Sequence, residues 1–113
     1  MDPVNHDLCE IVTDGDALLV RCKGRLTGDE AVRVRELVKP LAAGAKRITL
    51  DLTGVNYMDS IGLGTIASLY VSSRAAGRQF DMINLSPRIR ELFSVTRILT
   101  LFESCGEHNI RMP

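Results

Sequence analysis

Along this chain, stretches in which apolar and polar residues alternate give way repeatedly to stretches in which apolar residues recur at helical spacing. Leu8-Cys9-Glu10-Ile11-Val12 and Ala17-Leu18-Leu19-Val20-Arg21-Cys22-Lys23-Gly24 have strand patterns, and Thr13-Asp14-Gly15-Asp16 between them holds an Asp-Gly pair suited to a tight reversal. The two strands are expected to pair antiparallel. Thr27-Gly28-Asp29-Glu30 has the form of a capping box, opening a helix that turns Ala31, Val34, Val38 and Leu41 to one buried face. Pro40 is expected to kink or loosen the helix near Lys39, after which 42–45 lead to a third strand over 47–52.

The period then changes again. Ile48 to Leu52 alternate, 53–60 read as a polar loop, and Leu63, Ile66, Ala67, Tyr70 and Val71 follow the i, i+3, i+4, i+7, i+8 spacing of a buried helix face. This second helix should end near Ala76, with Arg74 in its last turn and Gly77 as a left-handed terminator. Residues 78–85 alternate as a strand. Ser86-Pro87 then combines a hydroxyl cap with proline at the first helical position, and Ile89, Leu92 and Phe93 give the following helix, ending about 95–96, its buried stripe. A final strand is expected over 98–102 and a turn-like stretch over 103–109, and the last four residues give no clear signal. The order β-β-α-β-α-β-α-β describes an α/β fold, a mixed sheet with helices packed on it.

A length of 113 residues fits one domain, 1–113, with an ordered core at about 8–104 and residues 1–7 loose on the surface. Fourteen basic residues balance fourteen acidic ones, so no general attraction to phosphate backbones is implied. With two Tyr, three Phe and no Trp, there is little material for stacking single-stranded nucleic acid. Cys9, Cys22 and Cys105 are odd in number and lack metal-ligand spacing, the first residues have no basic or apolar leader pattern, and no apolar run could cross a bilayer. A reduced, cytoplasmic setting without cofactor or metal is the expectation. His6 and His108 lack a nearby acid or thiol and read as solvated. Arg88, Arg90 and Arg97 read as a solvated helix face, with receipt of a partner's acids the sharper alternative.

The strand-to-helix junction holds the candidate chemistry. Loops at the carboxyl ends of strands are where α/β proteins carry their sites, and a helix start offers unpaired N–H groups and partial positive charge that suit a phosphate. Ser60 is there, where it serves either as a helix cap or as a modified hydroxyl; Asp59 can cap the helix or orient that hydroxyl. Gly62 and Gly64 each cost about 1 kcal/mol relative to alanine inside a helix, which implies close approach by a partner or tight packing on the sheet.

The run Asp51-Leu52-Thr53-Gly54-Val55-Asn56-Tyr57-Met58-Asp59-Ser60-Ile61-Gly62-Leu63-Gly64 resembles the signature of the STAS domain, and specifically of the bacterial anti-sigma factor antagonists. The resemblance extends over nearly the whole chain and implies a STAS-type mixed sheet. It also implies that Ser60 is phosphorylated by a partner anti-sigma factor, a serine kinase that itself binds ATP, and that Asp59, Ser60, Ile61, Gly62, Leu63 and Gly64 meet the partner. Many members carry Ser, Thr or Ala where this chain has Ile61, which removes a second hydroxyl and leaves one acceptor. The implied function is non-enzymatic: the unmodified chain binds the anti-sigma factor and frees a sigma factor, phosphorylation ends the binding, and a phosphatase is a further possible partner. The alternative is a STAS accessory subunit regulating a membrane transporter or lipid-trafficking ATPase. A serine nucleophile is disfavoured, because no histidine base is near Ser60 in sequence and the G-x-S-x-G elbow is absent.

Overall fold

The computed structural model describes residues 4–5, 9–95 and 110–111. Its elements are β1 (Val4–Asn5), β2 (Cys9–Asp14), β3 (Ala17–Leu26), α1 (Gly28–Ala42), β4 (Arg47–Met58), α2 (Ser60–Ala75), β5 (Gln79–Ile83), α3 (Pro87–Val95) and β6 (Ile110–Arg111). They form a sheet in the order β1-β2-β3-β4-β5-β6, antiparallel from β1 to β3 and parallel from β3 to β6. The expected class therefore stands: a mixed sheet with helices in the crossovers. The strand expected at 98–102, the turn at 103–109, and His6, Arg97, Cys105 and His108 lie outside the described residues.

The sequence patterns account for most of this. β2 and β3 form the expected hairpin, with Cys9 opposite Cys22 and Ile11 opposite Val20, and Gly15 at φ +62 makes the reversal. Leu18, Val20 and Cys22 of β3, Ile48, Leu50 and Leu52 of β4, and Phe80 and Met82 of β5 alternate into one core with Ala31, Val34 and Val38 of α1 and Leu63, Ile66, Leu69 and Tyr70 of α2. The Tyr70 and Phe80 rings meet edge to face at 5.9 Å between centroids. Cys9 and Cys22 are free thiols inside this core; burial, with Cys9 and Asp51 adding to it, pushes the Cys22 thiol up to about 12. Gly77, at φ +76, ends α2 as expected, and Ser86 Oγ accepts the Ile89 N–H at the start of α3.

Several expectations are corrected. The 53–60 loop is mostly strand, because β4 continues to Met58 by pairing with β3, through register shifts at Arg21/Lys23 and Gly24/Arg25. Gly54 permits the approach: a Cβ there would lie 2.8 Å from Lys23 Cβ and 3.1 Å from the Cys22 carbonyl oxygen. Residues 4–5 are not loose but pair with Ile11 and Glu10. α1 runs through Pro40 to Ala42, and its last turn buries Ala42 while Leu41 is exposed. Val71 likewise faces out, 51% exposed, and α2 buries Leu69 and Ser73 instead. β5 is shorter than expected because Asn84 adopts φ 61 and turns the chain. The capping box does not form: the Thr27 hydroxyl makes no cap bond, and the first N–H of α1 goes to a residue far along the chain.

Candidate functional site

β4 is the longest strand and pairs on both sides, so its carboxyl end is held in place by β3 where the chain bends into α2. Asp59 sits at that bend with extended backbone, φ −101 and ψ −174, as a helix-capping residue does. Its Oδ1 accepts the Gly62 N–H at 2.9 Å, and its Oδ2 accepts the Gly28 N–H at 3.1 Å. One carboxylate thus satisfies backbone donors at the starts of both α1 and α2, where the two positive helix ends converge. Gly28 has φ +48, a left-handed conformation that suits glycine and takes the chain from β3 into α1.

With the cap supplied by Asp59, the Ser60 hydroxyl is not needed for it. Ser60 is the first residue of α2, exposed, and among the described residues its side chain has no hydrogen-bond partner. The capping reading of Ser60 is therefore replaced by capping through its neighbour. Beside it, Ile61 is 48% exposed, an apolar side chain turned to solvent. The two glycines of the motif separate. A Cβ at Gly62 would fall on the Leu26 carbonyl oxygen and come 2.6 Å from Met58 Cγ, so Gly62 lets α2 pack on β3 and β4. Gly64 is exposed, and a Cβ there would have nothing within 4 Å, so nothing in the fold requires glycine. Leu63 is buried and anchors the helix to the core.

A second aspartate on β4 makes a different kind of cluster. Asp51 Oδ1 accepts the Thr53 N–H at 2.9 Å, the Thr53 hydroxyl at 2.6 Å and Asn84 Nδ2 at 3.2 Å, while Oδ2 lies 3.6 Å from Arg21 Nε. Burial alone would raise its pKa; the bonds from Thr53 and Asn84, with the Arg21 charge, outweigh that and hold the carboxyl below its ordinary value. Arg21 also pairs with Glu10 at 3.2 Å, so the cluster ties β2, β3 and β4 to the turn after β5.

Next to the Ser60 junction the structure groups residues that sequence reading did not. The Arg25 guanidinium carbon lies 4.7 Å from the Tyr57 ring centroid, and that of Arg88, read as solvated, lies 5.7 Å from the same centroid. The signal in the sequence was faint, since Arg25 and Tyr57 are brought together only by the parallel register of β3 on β4. Among the described residues no group of three or more His, Cys, Asp or Glu could hold a metal ion, and no helix is long and apolar enough to cross a membrane.

The STAS domain family profile matches residues 9–110. The anti-sigma-B factor antagonist of Bacillus subtilis is 30% identical over 84 residues, spanning 74% of this chain and 77% of the relative. The solved structure of the Bacillus cell fate determinant SpoIIAA in its phosphorylated form is similar at a TM-score of 0.67 and 18% identity, covering 78% of this chain and 82% of that one. An anti-sigma factor antagonist from Mycobacterium paratuberculosis superimposes at a TM-score of 0.75 and 17% identity, over 93% of this chain and 84% of its own.

Proposed function

The chain belongs to the STAS domain family, and from that premise we propose that it is an anti-sigma factor antagonist switched by phosphorylation of Ser60. In the unmodified state it binds an anti-sigma factor through the start of α2 and so frees a sigma factor. The observation that carries the reading is the free hydroxyl: Asp59 supplies the cap, and Ser60 stands exposed on the helix end with Ile61 and Gly64 open beside it.

The chemistry asks little of this chain. The partner binds ATP; the Ser60 oxygen attacks the γ-phosphorus, the bond to the β-phosphate oxygen breaks, ADP leaves, and the hydroxyl proton goes to a base on the partner. The helix end accommodates the new group electrostatically, since its partial positive charge faces the phosphate. Docking is a different matter. About −1.5 to −2 charges arrive next to the Asp59 carboxylate, on a surface whose nearest apolar feature is Ile61, and an interface packed over that surface must then desolvate them. Modification therefore favours release. On this reading the chain works in the cytoplasm, and a phosphatase is needed to reset it.

The test is incubation with the anti-sigma factor kinase and ATP, followed by peptide mass spectrometry and a pull-down. Phosphate should appear on Ser60 of the native chain, and modified protein should fail to retain the kinase. Phosphate on a Ser60→Ala variant, or none on the native chain, would remove the switch.

A further inference from the structure

The register shift at Gly24/Arg25 redirects the end of β3. Gly24 has φ +77, and a Cβ there would have nothing within 4 Å, so its glycine serves the backbone turn rather than packing. Beyond it, Arg25 pairs directly with Tyr57 of β4 and lays its guanidinium over the ring, while Arg88 from the first turn of α3 approaches the same ring. Arg25 and Arg88 are both exposed, and among the described residues neither is in an ion pair. Two cations are held on one aromatic side chain with no described anion between them.

We propose that Arg25 and Arg88, stacked on Tyr57, form a carboxylate-binding clamp that takes acidic side chains of the protein docking at the Ser60 surface. Stacking uses the planar face of a guanidinium and leaves its edge N–H groups for a carboxylate, and it fixes the side chain beforehand, so less rotamer freedom is lost on binding. An acid bound there also relieves the mutual repulsion of the two arginines. The clamp adjoins the junction: Leu26, which follows Arg25, pairs with Met58 and lies under Gly62, and Tyr57 precedes Asp59 by two residues. Lys23 and Arg90, both exposed, extend the positive charge along β3 and α3. The identity of the acid's owner rests on the proposed docking at Ser60; the clamp's own chemistry does not.

The probe is an end-capped hexaglutamate peptide, titrated at low salt into the full chain while the arginine Nε–H signals are followed by NMR. Arg25 and Arg88 should shift together and saturably, with Arg47, at the other end of β4, unmoved. Arg25→Gln and Arg88→Gln should each weaken binding by on the order of three- to tenfold. Tyr57→Leu should do the same, whereas Tyr57→Phe, which keeps the ring, should retain binding; backbone spectra establish that each variant is folded. Equal shifts at all arginines, no shift at Arg25 and Arg88, or full binding by Tyr57→Leu would overturn the clamp. The Ser60→Ala variant should bind the peptide normally, so loss of the phosphorylation switch and loss of the clamp are separate outcomes.

Discussion

Asp51 and Asp59 stand on the same strand and at its end, and both accept several hydrogen bonds, yet they build opposite kinds of surroundings. Asp51 takes two of its three hydrogen bonds from side chains, those of Thr53 and Asn84, has the Arg21 guanidinium as an ion-pair partner, and is left 8% exposed. Asp59 takes both of its bonds from backbone N–H groups, and the two side chains that follow it, Ser60 and Ile61, face outwards. A carboxylate satisfied by side chains makes a closed structural knot. One satisfied by backbone donors positions helices and leaves neighbouring hydroxyl and apolar groups available to a partner.

Four substitutions bear on that contrast. The largest effect is expected where α2 is seated, since Gly62→Ala forces a methyl onto the Leu26 carbonyl oxygen; a loss of about 3 kcal/mol or more should appear in urea unfolding. A near-neutral result would mean that the Asp59 cap does not depend on this close approach.

Next comes Asp51→Asn, which should cost about 2 kcal/mol at pH 7 while leaving Ser60 phosphorylation of the folded protein unchanged. Because the folded carboxyl is held below its ordinary value, its stabilisation is complete above the unfolded pKa of about 4 and is lost as pH falls through the folded value. Thermal melts from pH 7 down to pH 3 should therefore show the native chain and the variant converging at the acid end.

Asp59→Ala should cost about 1 kcal/mol, less than Asp51→Asn, but should slow phosphate incorporation at Ser60 as well. An effect on stability alone would make the two aspartates equivalent. The smallest change is Gly64→Ala, expected to stabilise α2 by about 0.5–1 kcal/mol because the added Cβ meets nothing, while weakening capture of the kinase in a pull-down.

The parts readable from sequence were those set by neighbours in the chain. The Asp-Gly hairpin, the helix start at 59–60, the Gly77 terminator and the Ser86 cap each depend on residues within a few positions of one another. The parts that were not readable depend on what the sheet brings together. Gly54 and Asn56 are poor strand formers and looked like a loop, but pairing with β3 outweighs that local preference. Thr27 and Glu30 matched a capping box, yet Asp59 supplies the acceptor for Gly28 across 31 positions, which no local pattern records. Leu41 and Ala42 both fit the helical stripe of α1, and only its seat on the sheet decides which is buried. The site followed the same division: Ser60 and Asp59 were visible as a motif, whereas Arg25 and Arg88 acquire a shared role only through the register of β3 and the position of α3.

The bond from Gly28 to Asp59 also bears on how the chain is inspected by whatever binds it. The bond closes a 31-residue loop through one carboxylate, so it exists only where β3, α1 and β4 are assembled and the two helix starts have met. A nascent or half-folded chain contains the same serine but not the paired helix ends around it. On the proposed function, a partner that recognises this junction reads the fold as well as the residue, and incompletely folded copies do not compete for it.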